Sequence, residues 1–217
     1  MNISTEDYIK NIYSIDIAIG KVTTTILAEK LKVSAAAVSD MISKLSKNGF
    51  VKNTPYKGFE LTKKGKTVAV NIIRKHRIWE VFLTQYLKYP WEKVHIEAEK
   101  LEHASSDELI EKIEHFLKYP KYDPHGDPIP DRNGKYPSLS LIPLSEVKKG
   151  DTVRIKKVSD EDPGGLLYLT KYGICLEDKI KIKERTEFDS SIEAESKNKK
   201  IFISEKLSKM IFVIKIS

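Results

Sequence analysis

The sequence holds one cysteine, Cys175, among 217 residues. That excludes an intramolecular disulfide framework and a zinc cluster built on several thiolates. It also lacks any apolar run near the roughly 18 to 20 residues that a membrane span requires, so no membrane partner is expected. The opening residues, Met1-Asn2-Ile3-Ser4-Thr5-Glu6-Asp7, have neither the basic nor the apolar stretch of a secretory signal. Together these absences point to a reducing, cytoplasmic setting. The length predicts two or three compact units, and 40% hydrophobic residues suit globular packing.

Charge is distributed unevenly. Residues 1–77 carry 14 Lys and Arg against 6 Asp and Glu, whereas the remainder carries 24 against 25. The whole excess of +7 therefore lies in the first third. A basic segment joined to a neutral remainder suits a polyanion bound at one end; a merely solubilising surface is the plain alternative.

Hydrophobic spacing organises the same segment. Ser4-Thr5-Glu6-Asp7 reads as a helix start, followed by Tyr8, Ile12 and Ile15 on one face. A second helix runs to Leu31 with Leu27 and Leu31 inward, and a tight turn leads to a third, Ala35 to Lys47, with Val38, Ile42 and Leu45 inward. Two short extended runs follow, Phe50 to Lys52 and Phe59 to Thr62, with Pro55-Tyr56-Lys57-Gly58 as a hairpin tip. Helix, helix, turn, helix, hairpin is the order of a winged helix-turn-helix. Beyond it, helices are expected over 66–88, 91–104 and 107–119, the last with Leu109, Ile113 and Phe116 inward. Residues 120–137 form a Pro-, Gly- and Asp-rich linker or ordered loop. Five short apolar runs after residue 150 suggest a small β-barrel. The expected fold is mainly α with a little β. A winged-helix domain (1–70) leads to an all-helical domain (71–138), then to a C-terminal barrel (139–217).

The third helix is the one expected to enter the major groove of double-stranded DNA. Its exposed early positions are Ser34, Ala36, Ala37, Ser39 and Asp40, with no Arg or Gln in the first turn. Direct base readout should be modest, and phosphate contacts from lysines such as Lys44, Lys47, Lys52, Lys63, Lys64 and the wing-tip Lys57 should carry more of the affinity. A winged helix used only for protein contacts is the alternative.

His95, Glu99, Glu102 and His103 fall at i, i+4, i+7 and i+8, on one face of a single helix. Val94, Ala98 and Leu101 form an apolar stripe one residue earlier, so the polar ridge borders the core. His76 and Glu80 make another i, i+4 pair. Carboxylates and imidazoles packed on a partly buried ridge are costly unless a cation neutralises them. Oxygen-rich donors with one or two imidazoles suit Mn(II) or Fe(II); a solvated Glu/His face is the bland reading.

With these motifs in place, the sequence resembles the diphtheria toxin repressor family, and within it the manganese-responsive regulators. The likeness rests on Glu6-Asp7-Tyr8, on Arg74 to Glu80, on His95 to His103, on Tyr119 to Gly126, and on Ile129-Pro130. From Leu144 onward the chain is similar to the SH3-like, FeoA-type domain of longer members. The resemblance implies a homodimeric, metal-dependent repressor of operator DNA controlling metal homeostasis. It implies a primary site of Asp7, Glu99, Glu102 and His103. An ancillary site would draw on His76, Glu80 and His95, with Asp123 and His125 as further candidates and Asp160 a weaker one. Carboxylates at Asp7 and Glu99, where iron-tuned members carry a thioether and a thiol, imply Mn(II), with Fe(II) the alternative. Lys10 stands where some two-manganese members carry Glu, which departs from their paired-metal arrangement. Two competing readings come from other classes: a metallohydrolase, and a winged-helix regulator that needs no metal.

Overall fold

The computed structural model describes residues 3–54 and 58–216, with side chains from residue 5 onward. The expected hairpin tip, including Lys57, lies outside the described residues. Contacts divide the chain into two units. One comprises Met1–His76, Glu99–Ile110 and Pro130–Tyr136; the other comprises Arg77–Ala98, Glu111–Ile129 and Pro137–Ser217.

In the first unit, α1 (Ile3–Ile19), α2 (Thr24–Leu31) and α3 (Ala35–Lys47) precede strands β1 (Val51–Thr54) and β2 (Gly58–Leu61). The Thr23 hydroxyl accepts from the Ile26 N–H to start α2, and Lys32 ends it in the left-handed region at φ 55°. Ser34 then caps α3 by accepting from the Ala37 N–H. Ile9, Ile12 and Ile15 of α1 are buried with Leu27, Val38, Ile42 and Leu45 in one cluster. Each such side chain contributes about 1.5–3 kcal/mol. The strands pair antiparallel from Val51 opposite Leu61 to Thr54 opposite Gly58. Gly58 sits at φ +83°, where a Cβ would lie 2.0 Å from the Val22 carbonyl oxygen, and the neighbouring Phe59 N–H donates to that oxygen at 2.9 Å. The wing is thus tied to the loop before α2.

Three further helices follow: α4 (Lys63–Gln85), α5 (Trp91–Ala104) and α6 (Asp107–Phe116). The expected inward face of α6 needs correction. Leu109 and Phe116 are exposed, while Ile110, Ile113 and Leu117 are buried. Both triplets have helical spacing, so periodicity alone does not choose between them. Phe116 instead joins an aromatic group on the second unit, 4.7 Å from Tyr86 between ring centroids.

The second unit carries β3 (Ile142–Pro143), β4 (Thr152–Val158), α7 (Pro163–Tyr172), β5 (Lys179–Arg185), β6 (Ile192–Ser196), β7 (Lys199–Ile203), α8 (Glu205–Met210) and β8 (Ile211–Lys215). Among the described residues these strands form one six-stranded sheet in the order β3-β8-β4-β5-β6-β7, every pairing antiparallel. Alternating residues such as Val153, Ile155, Ile180 and Ile182 fill its core with Leu166 and Leu169 of α7. Sequence spacing left α7 unread because its Pro163-Gly164-Gly165 start resembles a turn. Asp162 caps it and the proline takes an early helical position.

Residues 120–129 form an ordered loop in this unit. Tyr122 and Pro128 share a β-bridge, and the Val158 N–H donates to the His125 carbonyl at 2.8 Å. Gly126 lies against β4 at φ +90°, where a Cβ would be 2.0 Å from the Lys156 oxygen. Gly126→Ala should therefore cost about 1–3 kcal/mol through backbone strain and displacement from β4. Urea unfolding monitored by circular dichroism checks this, and an unchanged midpoint would show that the loop is not clamped.

Candidate metal centres and DNA-facing helix

In the first unit, Asp7 of α1 meets Glu99, Glu102 and His103 of α5. The four residues offer ligand atoms that all lie within 4.8 Å of one another. Helix α5 supplies three of them because i, i+3 and i+4 positions share a face. The Glu102 side chain is fully buried, and that of His103 is 5% exposed. Burial raises the Asp7 carboxyl above its ordinary range; the nearby Glu99 and Glu102 charges add to the rise and His103 opposes it.

The His103 ring is the most informative group. Its Nδ1 lies 2.5 Å from Glu6 Oε2, so the ring donates there and Glu6 fixes the tautomer. Its Nε2 then faces Asp7 Oδ1 at 3.0 Å and Glu102 Oε1 at 3.3 Å, yet is buried without a hydrogen-bond partner among the described residues. In the neutral ring Nε2 carries a lone pair, and a lone pair facing carboxylate oxygens calls for a cation between them. Three carboxylates and one imidazole are a fitting donor set for a hard divalent ion. The role of Glu6 escaped sequence reasoning, although it lies beside Asp7.

His76 also belongs to the first unit, where its Nδ1 is 2.5 Å from Glu102 Oε2. Lys10 enters the same group. Its ammonium lies 2.9 Å from both Glu102 oxygens and 3.2 Å from Glu99 Oε1. Lys10 is three residues from Asp7 on α1, a spacing that places both on one face.

The second unit gathers the remaining candidates around Glu80, whose side chain is 1% exposed. Its Oε1 is 3.7 Å from His95 Nδ1 and 3.8 Å from His125 Nδ1. Asp160, just beyond β4, reaches His95 Nδ1 at 3.2 Å. His125 is wholly buried, and its Nε2 donates to the Trp91 carbonyl at 2.8 Å. The carbonyl only accepts, so Nδ1 keeps its lone pair, and that atom has no hydrogen-bond partner among the described residues. Asp123 completes a group with Glu80 and His125. However, its Oδ1 already accepts the N–H groups of His125 at 2.8 Å and Asp127 at 2.9 Å, the work of a residue that shapes the loop. Burial first, then the Glu80 and Asp127 charges, push its carboxyl well above the usual range.

The cap Ser34 and, on α3, Ala36, Ala37, Ser39, Asp40 and Lys44 are all exposed. Two hydroxyls are partly engaged, Ser34 as the cap and Ser39 by donating to the Ala35 carbonyl at 3.0 Å. Lys64 donates to the Asn48 carbonyl at 3.1 Å, and Lys52 pairs with Glu60 at 3.2 Å, so these two lysines are already held near the wing. In the second unit, Trp79, Phe82, Tyr86 and Phe116 form a ring cluster with neighbouring centroids 4.7 to 6.3 Å apart. Tyr86 is 48% and Phe116 53% exposed.

Comparison with known proteins places these groups in context. Residues 2–59 match the iron-dependent repressor N-terminal DNA-binding domain. Residues 62–131 match the metal-binding and dimerisation domain of the same repressors, and residues 142–215 match the FeoA domain. The iron-dependent repressor IdeR of Mycobacterium leprae is 31% identical over 159 residues, covering 70% of this chain and 69% of that protein. Two solved structures are similar along the whole chain. A manganese-dependent transcriptional repressor in complex with manganese is 35% identical at a TM-score of 0.89, covering 98% of this chain and all of that one. ScaR with bound Cd2+ is 31% identical at a TM-score of 0.83, covering 98% and 99%.

Because Glu6 orients His103, Glu6→Ala should weaken divalent-ion affinity about 10- to 100-fold, with Glu6→Gln recovering part of the loss. Calorimetric titration with Mn(II) as the probe ion reads this, and an undiminished affinity in the alanine variant would remove Glu6 from the site.

Proposed function

The chain belongs to the iron-dependent repressor family of metal-dependent, DNA-binding transcriptional repressors, and on that premise we propose that Mn(II) is its activating ion. Membership in a family of repressors removes the metallohydrolase reading. The single observation that carries the metal assignment is the convergence of Asp7, Glu99, Glu102 and His103, whose ligand atoms all lie within 4.8 Å of one another, with His103 Nε2 buried against two of the carboxylates. In our reading Asp7, Glu99, Glu102 and His103 are the primary ligands. Glu80, His95, His125 and Asp160 form an ancillary set, with Asp123 shaping its loop and His76 turned to Glu102.

The choice of ion follows from donor chemistry. The primary set has three carboxylates and one imidazole, with no thiolate or thioether, and hard oxygen donors favour Mn(II), with Fe(II) next. The one cysteine, Cys175, is exposed and belongs to the other unit. Similarity to a manganese-dependent repressor supports the same choice.

A bound divalent ion supplies the positive charge that lets the Asp7 carboxylate rest against the α5 ligands. Everything else is done by the chain. Asp7 lies on the helix whose Ile9, Ile12 and Ile15 are buried with Val38 and Ile42 of α3. Fixing Asp7 therefore restrains α1, and α1 restrains the helix that we assign to the major groove. Ligand that binds only the competent arrangement favours it by roughly 2.7 kcal/mol at a hundredfold excess over its dissociation constant. In a homodimer the two copies of α3 must stand roughly 34 Å apart to enter successive major grooves. The exposed rings of Tyr86 and Phe116, packed on Phe82, are suited to bury against a second copy.

Functionally we divide the chain into a DNA-binding part (1–70), a dimerisation and metal part (71–138) and a FeoA-type part (139–217), which contributes Asp160. Its place of action is the cytoplasm, where operator DNA and metal pools are accessible; no helix among the described residues is long and apolar enough to cross a membrane. We propose metal-uptake genes as its targets.

Asp7→Ala should leave the fold intact and abolish Mn(II)-dependent retardation of operator DNA. Mobility shifts with Mn(II) or with chelator test this on DNA from upstream of the protein's own gene. Retardation that persists in the mutant would refute the link through Asp7. Wild-type retardation that ignores chelator would restore a metal-independent regulator.

A further inference from the structure

We propose that Lys10 is a built-in cationic competitor for the primary site, holding Glu99 and Glu102 by its ammonium and so setting how much divalent ion is needed to occupy it. The inference rests on the reading of Asp7, Glu99, Glu102 and His103 as ligands.

The geometry is unusually complete for a surface lysine. Lys10 Nζ lies 2.9 Å from Glu102 Oε1 and 2.9 Å from Oε2, so it straddles the carboxylate. It is also 3.2 Å from Glu99 Oε1 and 3.5 Å from His76 Nδ1. The Lys10 side chain is 14% exposed and that of Glu102 is fully buried. An ammonium has three donors and no acceptor, and here every donor direction ends on a group of the metal cluster. This is a desolvated, charge-assisted arrangement, which is far stronger than an exposed ion pair.

Two consequences follow from elementary electrostatics. Three carboxylates, Asp7, Glu99 and Glu102, are held close together, and burial has already raised the Asp7 carboxyl. Without metal, Lys10 supplies the positive charge that keeps this group together, and removing it would leave the buried Glu102 poorly compensated. With metal, the same Glu99 and Glu102 oxygens must serve a dication while a monocation stands beside them. The ammonium then opposes binding, by occupying ligand lone pairs and by repulsion. Lys10 therefore stabilises the metal-free protein and weakens its hold on the ion. An ordinary structural salt bridge would act in one direction only: its loss would lower stability and loosen the ion together.

Lys10→Met keeps the stem and removes the charge, and its thioether is a poor ligand for a hard ion. Calorimetric titration of the full-length chain with Mn(II) should give a dissociation constant about tenfold tighter than wild type. The metal-free melting temperature should fall, and the rise on adding Mn(II) should grow. If Lys10→Met does not fold, Lys10→Gln, of similar reach and uncharged, carries the same expectation. Unchanged or weaker Mn(II) affinity in a folded variant overturns the proposal. Glu102→Gln separates the two readings: loss of Mn(II) binding there, with no gain in the Lys10 variant, overturns only the competitor role. Undisturbed binding in Glu102→Gln overturns the ligand assignment and the competitor with it.

Discussion

Negative charge confined at one place governs the first unit. Glu102 is fully buried, Asp7 and Glu99 stand beside it, and His103 presents a ring nitrogen to two of the three carboxylates. Carboxylates at such spacing repel one another, and a fully buried one such as Glu102 costs several kcal/mol unless positive charge compensates it. Positive charge stabilises this arrangement, and in the reading proposed above the identity of the cation is the switch. The Lys10 ammonium and a divalent ion are the two candidates for the same oxygens. One is always present and singly charged; the other brings twice the charge at a concentration set by the cell.

The switch matters because its two sides lie on different helices. α5 contributes Glu99, Glu102 and His103, whereas α1 contributes Asp7 and Lys10. The buried face of α1 lies in the cluster that contains Val38, Ile42 and Leu45 of α3. Close-packed interiors transmit small displacements rather than absorb them, so the position of α1 is felt at α3. The second unit repeats the theme in another form. Glu80 is buried between His95 and His125, and Asp160 arrives from the end of β4. Asp160 of the FeoA-type part thus stands in contact with His95 beside Glu80, and the Gly126 contact with β4 keeps the His125 loop in register.

Much of this was legible in the sequence because helices make spacing informative. The i, i+4, i+7, i+8 run from His95 to His103 and the cap-to-cap length of α3 translate directly into faces and boundaries. The winged-helix order was equally legible from turn residues. What stayed hidden depends on tertiary contacts. Leu109 and Phe116 have good core spacing on α6, but the neighbouring register of Ile110, Ile113 and Leu117 is the one buried. The start of α7, Pro163-Gly164-Gly165, carries turn chemistry, and only the Asp162 cap and the packing of Leu166 and Leu169 make it a helix. Glu6 and Lys10 flank Asp7 in plain view, yet nothing local says that one orients an imidazole 97 positions away and the other straddles Glu102. The resemblance already marks His125 as an ancillary candidate, but its complete burial and the Nε2 bond to the Trp91 carbonyl come from the fold.

The central claim is tested most directly by crystals grown with excess Mn(II) and measured at the manganese absorption edge. The account predicts an anomalous peak coordinated together by Asp7, Glu99, Glu102 and His103, with Lys10 withdrawn from Glu102. Maps with no peak among those four side chains, and Lys10 still seated on Glu102, would contradict it.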